Sequence, residues 1–206
     1  MSRLIPLLVV LLLLVNPTAG DPTTITFEEW PDGSPIDIPY APATLITNEF
    51  QEWGVVFQNS TQMHDHGPPP SDLPTPPNCL FAASSASQPD QVTLDAYFVC
   101  PANPSLPGTV PWVEITQDWG AQSGGGILEA YDLSGNLVQS LSFNTSGATF
   151  RVEYPGIHRV FIGPCRDDLD NFAFGSITCV PVPGAALIGA LGLSFSGWLL
   201  RKRGTL

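Results

Sequence analysis

Ile127-Leu128-Glu129-Ala130-Tyr131-Asp132-Leu133-Ser134-Gly135-Asn136-Leu137-Val138-Gln139-Ser140-Leu141 reads as a β-hairpin. Two short runs flank Ser134-Gly135-Asn136, where Gly135 and Asn136 can take the positive φ that a tight turn needs. The same grammar extends in both directions. Strands are expected at residues 23–29, 54–58, 91–99 and 112–119 before the hairpin. After it come residues 150–154 and 157–162, paired around Pro155-Gly156, and a closing strand over 171–178 with Phe172 and Phe174 on one face. Turn residues bound each run, and no convincing amphipathic helix or internal repeat interrupts them. Residues 59–78 carry Pro68-Pro69-Pro70 and Pro74, Pro76 and Pro77, and are expected to form a surface loop. Many short strands at regular spacing predict an all-β fold, an antiparallel jelly-roll-like β-sandwich.

Both ends of the chain break this pattern. Met1-Ser2-Arg3, an apolar run over residues 4–15 and the small residues Pro17-Thr18-Ala19-Gly20 have the layout of a signal peptide over 1–20. At the other end, Val180-Pro181-Val182-Pro183-Gly184 precedes an uncharged apolar run over 185–200 and then Arg201-Lys202-Arg203. The prolines mark a break after the globular body. As a helix the apolar run would rise about 25 Å, enough for a thin bilayer core, with the basic triplet retained on the cytoplasmic side. The expected division is therefore a signal peptide (1–20), a β-sandwich ectodomain (21–179) and a sorting tail with a transmembrane helix (180–206).

Charge narrows the partners. All 19 acidic residues lie between Asp21 and Asp170, whereas the only cations there are Arg151, Arg159 and Arg166, leaving −16. Such a surface repels nucleic acid and anionic membrane, favours solubility, and leaves cations as natural partners. Cys79, Cys100, Cys165 and Cys179 make an even count, which in an exported chain argues for disulfides. Three pairings are possible. Cys79–Cys100 and Cys165–Cys179 are favoured because each closes a local loop. Their spacings do not fit a zinc site.

The tail resembles the PEP-CTERM sorting signals of Gram-negative bacteria in their VPxP-type variants. Val180, Pro181 and Pro183, the segment holding Gly189, Gly192 and Gly197, and Arg201, Lys202 and Arg203 carry the resemblance. Val182 stands where the common form has Glu, and Gly184 where the variants often have Ala. The resemblance implies recognition by an exosortase, a membrane transpeptidase, starting from an inner-membrane-anchored precursor. The destination would be the cell surface, outer membrane or extracellular matrix.

Thr26-Phe27-Glu28, Ala130-Tyr131-Asp132 with Gly135-Asn136, and Leu169-Asp170-Asn171-Phe172 with Phe174-Gly175 look like the lectin-like sandwiches often attached to such tails. These are similar in plan to carbohydrate-binding modules. If first and last strands pair as in those folds, Glu28 and Glu29 approach Asp167, Asp168 and Asp170. The resemblance then implies a structural Ca²⁺ held by Glu28 and Asp170, with Glu29 and Asp168 next, since Ca²⁺ accepts many oxygens in a forgiving geometry. A solvated acidic turn is the plainer account.

Of Trp30, Trp53, Trp112 and Trp119, most are expected in the core, and Trp30, beside a turn, is the candidate for stacking on a sugar ring. His64-Asp65-His66 offers two imidazoles without an evident third ligand. There is no Gly-x-Ser-x-Gly elbow. The expectation is a non-catalytic surface or matrix protein associated with exopolysaccharide. A structural surface protein without a ligand, or a polysaccharide-acting enzyme, are the alternatives.

Overall fold

The computed structural model describes residues 21–38, 44–58, 61–65, 78–82, 92–117, 126–143, 148–165 and 169–181. The expected signal peptide (1–20), Val182, Pro183, Gly184, the apolar run, Arg201, Lys202, Arg203, Asp168 and Trp119 lie outside them. No helix among the described residues is long and apolar enough to cross a membrane.

The described residues form β1 (Thr23–Ile25), β2 (Thr44–Leu45), β3 (Val55–Gln58), β4 (Thr61–Asp65), β5 (Asn78–Ala82), β6 (Val92–Cys100) and β7 (Asn103–Gln117). There follow β8 (Gly126–Tyr131), β9 (Leu137–Phe143), β10 (Thr149–Ile157), β11 (Arg159–Cys165), β12 (Leu169–Phe174) and β13 (Thr178–Cys179). Every pairing is antiparallel. One layer runs β2-β4-β5-β12-β7-β10, with β1 also on β12. The other runs β3-β6-β11-β8-β9. The β6–β7 turn joins the two layers.

Alternation produces the sandwich. In the second layer Val55, Phe57, Leu94, Ala96, Phe98, Leu128, Ala130, Val160 and Ile162 are buried. The residues between them point away from the core, as the two-residue period of a strand requires. Across the gap Phe57 meets Phe172 with ring centroids 5.8 Å apart, and Phe98 meets Phe174 at 5.2 Å. Each buried Phe contributes about 2–3 kcal/mol of apolar transfer. Buried Phe27 sits at φ 64°, a region that disfavours large side chains, and ends the first strand at Ile25 rather than at residue 29. Its ring packs edge-on against Phe50 at 5.8 Å, which offsets that strain.

Several expectations are corrected. Residues 59–78 are not loop throughout: β4 pairs with β2 and β5, and its Thr61 and Met63 are buried. β7 begins at Asn103, well before residue 112, and passes through Pro104, Pro107 and Pro111. β10 and β11 are not a hairpin. β10 bonds to β7, with a register shift between Glu153 and Ile157, whereas β11 lies between β6 and β8 in the opposite layer. In the β8–β9 turn, Gly135 has positive φ (80°) but Asn136 does not.

The cysteine pairing is also corrected. Cys100 bonds Cys179, with Cα atoms 5.0 Å apart and a sequence separation of 79. That bond excludes both Cys79–Cys100 and Cys165–Cys179. The reason is topological: β13 returns to β7 through Cys179↔Gly108, beside the β6 end that carries Cys100. Cys79 is buried in β5.

Candidate functional site

The register of the second layer sets three residues side by side on its outer face. Arg159 of β11 is opposite Tyr97 of β6 on one side and Tyr131 of β8 on the other. Its guanidinium carbon lies 5.3 Å from the Tyr97 ring centroid and 5.0 Å from that of Tyr131. Both distances fit cation–π attraction. Asp95, two residues from Tyr97 on the same strand face, takes Arg159 in a fork: Nε donates to Oδ1 at 2.7 Å and Nη2 to Oδ2 at 3.0 Å. The hydrogen bond to Asp95 raises the Arg159 pKa against the opposing effect of burial. The guanidinium is thereby held between the two rings.

Tyr131 donates its hydroxyl to Glu129 Oε2 at 2.5 Å, which raises the phenol's pKa. His158 stands where the chain crosses between layers. Its N–H donates to the Tyr131 carbonyl, and its own carbonyl accepts from Phe98 N–H, both at 2.8 Å. The His158 Nδ1 lies 2.8 Å from the Gly108 carbonyl, and the ring meets Tyr97 edge-on at 5.9 Å. The β8–β9 turn forms the rim. Asp132 accepts from Ser134 N–H at 2.8 Å, Asn136 N–H at 2.9 Å and Asn136 Nδ2 at 2.9 Å. The Asn136 side chain, then its backbone, holds the Asp132 pKa below the ordinary carboxylate value. Tyr97, Tyr131, Arg159, His158, Asp132 and Leu133 thus line an open recess of about 300 Å³. Two tyrosine rings flanking a guanidinium, beside polar rim groups, are suited to the apolar face and hydroxyls of a sugar.

Trp30, the sugar-stacking candidate, is half-buried and packs on Phe50 at 5.6 Å. It lines a second recess, of about 380 Å³, with Pro31, Asp32, Glu49 and Glu52. Trp53 is also half-buried, and Trp112 lies under the Arg151 guanidinium at 4.0 Å. None of these three tryptophans is a core residue; phenylalanines fill the interior instead.

Of the proposed calcium ligands, β1 pairing with β12 brings Glu28 near Asp170. Glu28 accepts from Asn78 N–H at 2.9 Å and Asn78 Nδ2 at 3.2 Å. Burial raises its pKa, the Asn78 N–H lowers it, and the charges of Asp170 and then Asp65 raise it further. Asp170 is fully buried and accepts from Asn171 N–H at 2.6 Å. Phe27 and Asn171, the flanking residues, are the non-glycine positions with positive φ among the described residues. Glu29 is exposed, and its backbone forms a β-bridge with Pro35. No group of three His, Cys, Asp or Glu side chains among the described residues could hold a metal. The oxygen donors and mutual repulsion of Glu28 and Asp170 nonetheless fit the chemistry of a hard cation.

The Tyr97–Arg159–Tyr131 row was not visible in the sequence. Its members lie on separate strands, and only the register unites them.

No family model matches the chain, and no curated protein does. Solved structures include slight likenesses. One is TmCBM61 in complex with β-1,4-galactotriose, at 12% identity and TM-score 0.34, over 69% of this chain and 91% of that one. Another is the enzymatically active domain of tailspike protein 4 of bacteriophage CBA120, at 11% identity and TM-score 0.27, over 65% and 20%. A third is the accessory secretory protein 1, 2 and 3 assembly of Streptococcus pneumoniae, at 11% and 0.24, over 60% and 98%. No residue role is transferred from them.

Proposed function

We propose that this chain is an exported, non-catalytic glycan-binding sandwich that associates with exopolysaccharide. The Tyr97–Arg159–Tyr131 row carries the reading: it is a prearranged stacking surface whose polar rim lies within one recess. The acids nearest it are already engaged, Asp95 by Arg159 and Glu129 by the Tyr131 hydroxyl, which favours binding over acid–base catalysis. Binding should be measured on immobilised oligosaccharides of varied linkage. Tyr97→Ala and Tyr131→Ala should each weaken it by roughly 0.5–1.5 kcal/mol, the worth of one lost stacking ring. Binding that survives both substitutions in folded protein contradicts the assignment.

Sorting by an exosortase-type enzyme, through residues 180–206, belongs to the same reading. Val180 N–H still bonds the Pro107 carbonyl at 2.8 Å, while Pro181 is exposed. An exposed Pro181 supports access to the first residues of the motif. Mass spectrometry of the mature C-terminus from the native host checks it; an intact residue 206 in the surface fraction refutes processing. A structural Ca²⁺ would be held by Glu28 and Asp170, whose charges it would neutralise. It should raise the wild-type Tm at millimolar levels and leave Glu28→Gln unmoved.

A further inference from the structure

We propose that the glycan carries free amines, so that the ligand is an incompletely N-acylated hexosamine polymer rather than an acidic polysaccharide. This rests on the glycan-binding reading above and assigns the chemical class of its ligand.

The argument begins with the cations. An anionic sugar needs an arginine or lysine free to receive it. No lysine precedes Lys202. Among the described residues Arg159 is committed to Asp95 by its fork. Arg151 lies over Trp112 and is 2.6 Å from Glu153 and 3.7 Å from Glu114. Arg166 lies outside the described residues.

Both recesses, in contrast, place an aromatic face beside carboxylate. Trp30 shares its recess with Asp32, Glu49 and Glu52. Tyr131 shares the other with Asp132 and with Arg159, whose charge Asp95 balances. Glu52 projects from the short turn Gln51–Trp53, and Glu49 accepts from Thr47 N–H, so backbone geometry holds these acids at the Trp30 rim. An aromatic face attracts an ammonium group through its quadrupole, and an adjacent carboxylate adds a charge-assisted hydrogen bond. A neutral sugar would use the rings but gain nothing from the negative charge that Asp32, Glu49 and Asp132 keep while accepting their internal hydrogen bonds. A uronate or sulfate would meet them as like charges.

The test uses the full-length chain in calorimetric titrations with three oligomers of equal length: glucosamine, N-acetylglucosamine and galacturonate. At low salt the glucosamine oligomer should bind about tenfold tighter than its acetylated counterpart, the size of one or two exposed charge contacts. The difference should shrink at about 0.2 M salt, where screening acts within 10 Å. Galacturonate should not bind. Glu52→Gln, an exposed substitution that spares the core, should narrow the preference, and Tyr131→Ala should weaken glucosamine binding. Equal or tighter binding of the acetylated or acidic oligomer, lost in Tyr131→Ala, overturns the amine proposal while the glycan reading stands. Absence of binding to all three and to neutral hexose oligomers overturns both. Oligolysine binding as tightly as glucosamine, with Tyr131→Ala without effect on either, also overturns the proposal.

Discussion

Arg159 shows how a charged side chain can act as part of a surface rather than as a free charge. Its guanidinium is shared between Asp95 and two tyrosine rings, and Asp95 is nearly buried beneath it, with 4% of its side chain exposed. Removing one partner leaves the other desolvated without its counter-charge. Asp95→Asn should cost roughly 2–3 kcal/mol in chemical denaturation. Replacing both Asp95 and Arg159 by residues of similar volume should cost less than the sum of the single changes, because the two side chains are coupled. Additive costs would show that the pair does not organise the row. Nothing in the sequence marked this arrangement. Tyr97, Tyr131 and Arg159 are ordinary strand residues until the register of β6, β11 and β8 aligns them. Trp30 was visible because a large aromatic beside a turn is conspicuous, and it does line a recess, while also packing on Phe50.

At the scale of elements, local chemistry decided what could be read. The β8–β9 hairpin was legible because its turn residues lie between two strand-forming runs, and the structure adds the cap that fixes it, Asp132 accepting from Ser134 and Asn136. Those bonds stabilise the ionised carboxylate, so the folded pKa lies below the unfolded value of 3.8. The sign follows from linkage: the contribution is present above that value and is lost as pH falls through the folded pKa. Asp132→Ala should therefore lower Tm at pH 7, and the gap to wild type should narrow as pH falls from 3.8 through the folded pKa. A gap that persists in acid would show that the turn does not depend on the charge. The first part of β7 was hidden because proline suppresses strand propensity, and β4 because a proline-rich segment follows it directly. The layer-crossing at His158 was hidden because Pro155-Gly156 is also a good hairpin turn.

The whole molecule is held by contacts distant in sequence, and there the local reading of the cysteines failed. A rule that favours short loops cannot foresee β13 folding back onto β7. The Cys100–Cys179 bond closes a loop with a sequence separation of 79, for which the chain-entropy account gives about 4.5 kcal/mol. Cys100→Ser with Cys179→Ser should lower stability by an amount of that order in urea denaturation, and an unchanged midpoint would refute a stabilising role. The net charge of −16 over the body, with its few arginines already paired where described, makes the sandwich a surface that selects partners by charge as well as by stacking. The central claim is that a glycan lies on the Tyr97–Arg159–Tyr131 row. The most direct measurement is the ring resonances of Tyr97 and Tyr131 by NMR during titration with a bound oligosaccharide. The account predicts that both shift, saturably and with the same apparent Kd as calorimetry. Unmoved tyrosine resonances under saturating ligand would contradict it.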